Sequence, residues 1–104
     1  MSRRRYEILL PIRHNDGTLV DPEKFFRTQE ELVARFGALT TCPELLRGVW
    51  MHAGQRYEDE SLRLVVDVEA TPETREFFRT IKERLKVRFE QIDIWIVSFE
   101  VDVI

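Results

Sequence analysis

The chain ends in Ile92-Asp-Ile-Trp-Ile-Val-Ser-Phe-Glu-Val-Asp-Val-Ile104, which predicts a closing strand that is apolar on both faces. Because successive side chains of a strand point to opposite sides of a sheet, the isoleucines at positions 92, 94 and 96 face one way. Trp95, Val97 and Phe99 face the other, and leaving them in water would forfeit roughly 1.5 to 3 kcal/mol each. We therefore expect both faces to be covered, and the pattern alone does not show which face of the sheet carries Trp95.

Two segments carry the start signals of helices. Asp21-Pro22-Glu23 places a capping carboxylate before a proline at the first helical position, and apolar residues then recur at helical spacing until Gly37. Thr71-Pro72-Glu73 uses the same chemistry, and its apolar stripe runs to about residue 90. We predict one helix that stops at Gly37 and a second that continues to about residue 90.

The other regular segments are typical of strands. Tyr6–Ile12 is nearly continuous in apolar character, which suits a central strand. Arg47–His52 and Arg56–Val68 flank a short Ala53-Gly54 turn and predict a hairpin, preceded by a loop over Thr40–Leu46. The order strand, helix, strand, strand, helix, strand is the ferredoxin-like βαββαβ arrangement.

The predicted fold class is therefore α+β, with residues 1–104 as a single ferredoxin-like domain. Right-handed crossovers place both helices on one face of a four-stranded antiparallel sheet, with the first and third strands central and the fourth at an edge beside the first. The other face is open within one chain. Its apolar part, around Leu9 and the closing strand, predicts a homo-oligomer or homodimer in which a partner subunit covers the open sheet face.

Composition narrows the class of protein. A chain of 104 residues with 43% hydrophobic and 34% charged residues is ordinary for one globular domain, and a net charge of -3 argues against a general nucleic-acid binder. The basic run Arg3–Arg5 is interpreted as a solvated flank of the first strand. The lone Cys42 forms no internal disulfide, which favours a cytoplasmic location. No apolar run approaches the roughly 20 residues of a membrane helix, so a membrane is not an expected partner. The net charge gives the same expectation for nucleic acid.

The third strand predicts a more polar half of the open face. If its apolar residues at 62, 64, 66 and 68 pack under the helices, Tyr57, Asp59 and Arg63 point to the open side. A two-residue turn after His52 sets Trp50 opposite Tyr57 and adds His52 to the same side, provided that no bulge shifts the register. Aromatic area mixed with ionisable groups is typical of a small-molecule pocket. The candidate ligand-binding residues are Trp50, His52, Tyr57, Asp59 and Arg63.

Simpler interpretations of these residues stay open. Trp50 beside Tyr57 also fits a cross-strand aromatic pair or a dimer interface. His52 has the chemistry of a general base near neutral pH, with Asp59 to orient it, but a surface histidine near a turn explains it equally. His14 and His52 lie far apart, and no motif has metal-ligand or phosphate-loop spacing, so neither a metal nor a cofactor is predicted.

Eight short segments spread over nearly the whole chain carry a family resemblance: Tyr6-Glu-Ile-Leu-Leu-Pro11, Asn15-Asp-Gly17, Leu32-Val-Ala-Arg-Phe-Gly37, Gly48-Val-Trp50, Tyr57-Glu-Asp59, Arg63-Leu-Val-Val-Asp-Val68, Thr71-Pro-Glu73 and Lys82-Glu-Arg-Leu85. Together they resemble a family of small uncharacterised bacterial proteins. The resemblance implies a compact bacterial domain and carries over no activity, substrate or site residue. By its inferred architecture the chain is also similar to the dimeric α/β-barrel superfamily, whose ferredoxin-like subunits stack their sheets.

The sequence leaves the function unknown, between two hypotheses. The first is a small homo-oligomeric binding or interaction module whose open sheet face is covered by a partner subunit. The alternative is a cofactor-independent enzyme of the dimeric α/β-barrel type that acts on a small organic molecule between stacked sheets. The lack of a recognisable catalytic constellation in the sequence favours the first.

Overall fold

The computed structural model describes residues 2–104, and these form four strands and two helices in the order βαββαβ. One antiparallel sheet contains all four strands in the spatial order β2-β3-β1-β4. The predicted α+β ferredoxin-like fold is confirmed, with β1 and β3 central and β4 at the edge beside β1. The elements are β1 (Arg3–Pro11), α1 (Pro22–Phe36), β2 (Thr40–His52), β3 (Gln55–Glu69), α2 (Pro72–Arg88) and β4 (Ile96–Val101).

Both helices begin as their capping residues predict. The Asp21 carboxylate accepts a hydrogen bond from the backbone N–H of Glu23 at 3.0 Å, and the Thr71 hydroxyl accepts one from the N–H of Thr74 at 3.1 Å. α1 ends where Gly37 takes a left-handed φ of 77° and donates its N–H to the carbonyl of Val33. The caps therefore fix the helix boundaries from local chemistry alone.

The core lies between the helices and one face of the sheet. Side chains of β1 and β3 that alternate toward the helices are buried, and Phe78 of α2 stacks on Tyr6 of β1 with ring centroids 3.8 Å apart. Phe78 also stacks on Phe36 of α1 at 5.5 Å. One aromatic side chain thus connects the sheet to both helices, and Ile94 closes the same core from the segment before β4.

Three strand predictions were wrong in their boundaries. The closing strand was expected over residues 92–104, but β4 is confined to Ile96–Val101, because Ile94 turns into the core before the strand begins. The basic run at residues 3–5 is paired within β1 and is not a solvated flank. The segment Thr40–Leu46, expected as a loop, belongs to β2, where a register shift between Cys42 and Leu46 accommodates Pro43, which has no N–H to donate.

The β2–β3 hairpin extends beyond the rest of the sheet. Pairing of β1 with β3 ends at Pro11 and Ser61, so residues 47–60 form a two-stranded ribbon beside which the described residues place no third strand of the sheet. Its turn is of type I′, with positive φ at Ala53 (51°) and Gly54 (79°), which matches the twist of the flanking strands. Val49 and Met51 are exposed on the ribbon. A two-stranded ribbon is only marginally stable by itself in water, so this one gains from further packing.

Within residues 2–104, no helix is both long enough and apolar enough to cross a membrane.

Replacing Phe78 by alanine should lower the free energy of unfolding by about 3 to 5 kcal/mol, because it removes the ring that joins the sheet to both helices. Val87→Ala on the same helix is the matched control: its side chain is 79% exposed, so we expect a change within about 0.5 kcal/mol. Urea unfolding followed by circular dichroism measures both. Equal effects of the two substitutions would contradict the proposed core.

Candidate functional site

The open face of the sheet, meaning the side opposite the helices, carries the predicted cross-strand pairs. Trp50 lies opposite Tyr57 and His52 opposite Gln55, as the turn predicts. The register shift lies further along, where β2 advances four residues while β3 advances two. This excess is even, so the side chains before and after it stay on the same faces. The open face is formed by alternate residues of all four strands, among them Arg5, Glu7, Leu9, Cys42, Trp50, Tyr57, Asp59, Arg63, Asp67, Val97 and Phe99.

Trp50 is held in place from two sides. Its indole stacks on the ring of Tyr57, with centroids 4.6 Å apart and an angle of 19° between the planes. Its Nε1–H donates a short hydrogen bond to Oδ2 of Asp59. Since Trp50, Tyr57 and Asp59 come from the two strands of the ribbon, these contacts also join the strands through their side chains. The structure therefore brings together three of the five candidate residues.

His52 and Arg63 stand apart from this group. His52 is exposed near the turn, with its ring centroid 6.1 Å from that of Trp50. The carboxylate of Asp59 bonds to Trp50, and no ion pair or hydrogen bond within residues 2–104 joins it to His52. Arg63 lies further along β3, opposite Cys42, with Nη1 3.9 Å from Oε1 of Glu7. The structure thus lacks the contact by which Asp59 was expected to orient a histidine base.

Charges at the centre of the open face are paired within the chain. The guanidinium of Arg5 donates two hydrogen bonds to the Asp67 carboxylate, at 2.7 Å from Nε and 2.9 Å from Nη2. These hydrogen bonds hold the pKa of the Asp67 carboxyl below its ordinary value. Arg63 and Glu7 form a second, longer pair across β3 and β1. The middle of the face therefore presents little uncompensated charge.

Asp59 lines two clefts, and Trp50 lines the first of them. The first, of about 380 Å³, has mostly apolar walls and lies between the ribbon, the end of β1 and the segment before β4. The second, of about 720 Å³, is polar and includes Tyr57, Asp59 and the loop around His14. Neither cleft is lined by His52 or Arg63. Within residues 2–104, no group of three histidine, cysteine or carboxylate side chains is arranged to hold a metal ion.

Several residues that line the first cleft are not among the five predicted ligand-binding residues. The sequence predicts a partner contact for Leu9 and does not show which sheet face carries Trp95. In the structure, both residues line the first cleft together with Trp50. Leu46 was assigned to a loop and contributes from β2. The missing information is the path of residues 91–95, which are not in a strand and whose direction the alternation of apolar residues does not define.

Comparisons with known proteins support the fold. No family model matches the chain, and no curated protein matches it. The divalent cation tolerance protein (Cut A1) from Thermus thermophilus is 20% identical, with a TM-score of 0.63 over 97% of this chain and 85% of that one. A phage SAM lyase in complex with S-methyl-5'-thioadenosine has a TM-score of 0.70 at 11% identity, covering 97% of this chain and 90% of that one. CutA1 from Oryza sativa has a TM-score of 0.65 at 10% identity, covering 99% and 83%.

At these identities the similarity shows the fold alone. The chain thus shares the ferredoxin-like architecture that its order of strands and helices predicted. Membership of that family, a bacterial source and the relation to dimeric α/β-barrels stay predictions.

Asp67→Asn should lower the free energy of unfolding at neutral pH, because it removes the carboxylate that Arg5 pairs with. The pKa of Asp67 is lowered in the folded chain, so its stabilising contribution is present above the ordinary carboxyl pKa of about 3.9 and is lost as the pH falls through the lowered value. We therefore expect the difference in stability between the natural chain and the variant to shrink below about pH 4.

Urea unfolding at a series of pH values measures this difference, and Asp102→Asn, beyond the end of β4, controls for the change in net charge. A difference that stays constant from about pH 7 down to about pH 2 would contradict the role given to the pair.

Proposed function

We propose that this protein is a small homo-oligomeric binding module in which a second copy of the chain covers the open face of the sheet. The observation that carries the proposal is the exposure of large apolar side chains on that side, 61% for Trp95 and 44% for Phe99 in a single chain. Covering a side chain of this size contributes roughly 1.5 to 3 kcal/mol. Exposed aromatic residues that border a sheet face are typical of protein interfaces.

The charges of the open face favour a second copy as its partner. A surface with a strong charge of one sign would repel a copy of itself, whereas Arg5 with Asp67 and Arg63 with Glu7 compensate one another within each chain. Two copies can therefore meet through this face without the repulsion that a face of one net charge would create. The aromatic and aliphatic side chains around the pairs supply the apolar contact.

The edges of the sheet offer further contacts between copies. β4 pairs only with β1, and the ribbon part of β2 pairs only with β3, so both have one unpaired edge within residues 2–104. Unpaired strand edges accept a strand from another chain by continuing the ladder of hydrogen bonds. Packing of the ribbon on a second copy would cover Val49 or Met51 and supply the support that two strands lack alone.

For the bound molecule, we propose a small organic ligand in the first cleft. The names of the solved structures of this fold suggest two kinds of ligand, divalent cations and a thioadenosine nucleoside. The cleft has mostly apolar walls with Trp50 and Asp59 at its edge, a composition that suits an organic molecule better than a bare cation. Of the predicted ligand residues, Trp50 and Asp59 line this cleft, and Tyr57 supports Trp50. The cytoplasmic location and the single-domain organisation of residues 1–104 stay predictions.

Light scattering behind gel filtration should give a mass of at least twice the 12.5 kDa of one chain at micromolar concentration. Phe99→Glu should lower the mass toward that of one chain, because it places a charge on the open face. Val87→Glu is the matched control, since it introduces the same charge on the exposed surface of α2. Circular dichroism confirms that both variants are folded.

A natural chain that elutes with the mass of one subunit would contradict the proposal. So would a folded Phe99→Glu variant that keeps its full mass, because the covered surface would then not be the open face.

The enzyme alternative takes its test from the phage SAM lyase, whose likeness at 11% identity shows a shared fold and carries no activity over to this chain. Its test is direct: the purified chain is incubated with S-adenosylmethionine, and chromatography measures S-methyl-5'-thioadenosine against an enzyme-free control. Release that Asp59→Asn abolishes would support this alternative over the binding module. No release above the control would rule out this reaction and leave the binding module as the proposed function.

A further inference from the structure

We infer that the first cleft, between the ribbon and Trp95, binds a flat aromatic molecule that carries a positive charge. This inference rests on the proposed binding function and names the class of ligand. Every residue that it uses belongs to the cleft of one chain.

The shape and walls of the cleft suit a small organic molecule. Its volume of about 380 Å³ lies in the range of small-molecule sites, which runs from about 300 to 1,000 Å³. Leu9 and Pro11 of β1, Leu46 of β2 and Ile94 contribute to the apolar wall. Such walls favour a ligand whose main body is apolar.

The two tryptophans indicate that this body is flat. The chain has two tryptophans, and both line the cleft, Trp50 from the ribbon and Trp95 from the segment before β4. Tyr57 stacks on one face of the Trp50 indole, and Asp59 accepts a hydrogen bond from its N–H. The indole is therefore preorganised before a ligand binds. Indole rings bind aromatic ligands by stacking or edge contact and attract cations to their faces.

Asp59 supplies the negative charge. Its carboxylate accepts a hydrogen bond from Trp50 and is joined to no arginine, lysine or histidine by an ion pair within residues 2–104. A carboxylate has about four acceptor positions, so Asp59 keeps capacity for a donor on the ligand. Because Asp59 is only partly exposed, a cationic donor gains more from it than it would from a carboxylate in open water.

The other charged residues of the cleft do not cancel this preference. Asp93 is engaged elsewhere, since its Oδ1 lies 3.1 Å from Nζ of Lys82 and accepts the N–H of Ile94 at 2.9 Å. Arg47 is opposite Glu60 in the β2–β3 register, so strand alternation directs its side chain away from the face that carries Asp59. Lys82 therefore balances the charge of Asp93, whereas no lysine, arginine or histidine within residues 2–104 forms an ion pair with Asp59.

The experiment titrates the full-length chain with three ligands of the same shape, the cation benzamidine, the neutral benzamide and the anion benzoate. Proton–nitrogen correlation NMR follows the indole N–H signals of Trp50 and Trp95, which report on the cleft directly. We expect benzamidine to shift both signals in a saturable way and to bind at least about tenfold more tightly than either other ligand, as a charge-assisted hydrogen bond predicts. Signals that do not move with millimolar benzamidine, or equal affinity for all three, would overturn the inference.

Substitutions locate the charge that selects the ligand. Asp59→Asn keeps an acceptor for the Trp50 N–H and removes the charge, so it should weaken benzamidine binding by about tenfold or more and leave benzamide unchanged. Asp102→Asn makes the same chemical change beyond the far end of β4 and should leave both affinities unchanged. Equal benzamidine affinity in the Asp59→Asn variant and the natural chain would overturn the inference.

The mass of the titrated sample separates this inference from the proposed function. If the protein is an oligomer and its indole N–H signals do not shift with benzamidine, the inference is refuted and the proposed oligomeric module is not. A single subunit that binds benzamidine through Asp59 would support the inference and refute the proposed assembly.

Discussion

Both helices of this chain pack on the same face of the four-stranded sheet, so they leave the opposite face open within one chain. α1 and α2 pack on the side of the sheet that carries Tyr6, and Phe78 of α2 contacts both the sheet and α1. Every strand alternates, so each residue that enters the core places its neighbours on the opposite side. The open face is thus a consequence of the fold itself. Its apolar residues then require either a partner or a loss of stability.

The candidate site follows from a second feature, the unequal lengths of the strands. β3 extends past the end of β1, and the first cleft lies between the resulting ribbon, the end of β1 and the segment before β4. Trp50 would be mobile on a free ribbon, but its contacts with Tyr57 and Asp59 fix it at the edge of that cleft. The contacts that stabilise the ribbon therefore also preorganise the proposed binding site.

The features that were predictable from the sequence are those set by local chemistry. Asp21 and Thr71 marked the helix starts because a side-chain oxygen before a proline satisfies free backbone N–H groups. The turn at Ala53-Gly54 fixed the register of Trp50 against Tyr57 because its length allows only one pairing. Alternation gave no such guide in the closing segment, where both sides are apolar. The burial of Ile94 and the position of Trp95 depend on contacts with distant parts of the chain.

Hydroxyl-radical footprinting of the natural chain shows whether a second copy covers the open face. Phe99 on the open face and Phe26 on α1 are the same residue type and are 44% and 60% exposed in one chain. If a second copy covers the open face, we expect Phe99 to be oxidised far more slowly than Phe26 at micromolar concentration. Dilution should then raise the rate of oxidation at Phe99 alone. Oxidation of both residues in proportion to these exposures, at every concentration, would contradict it.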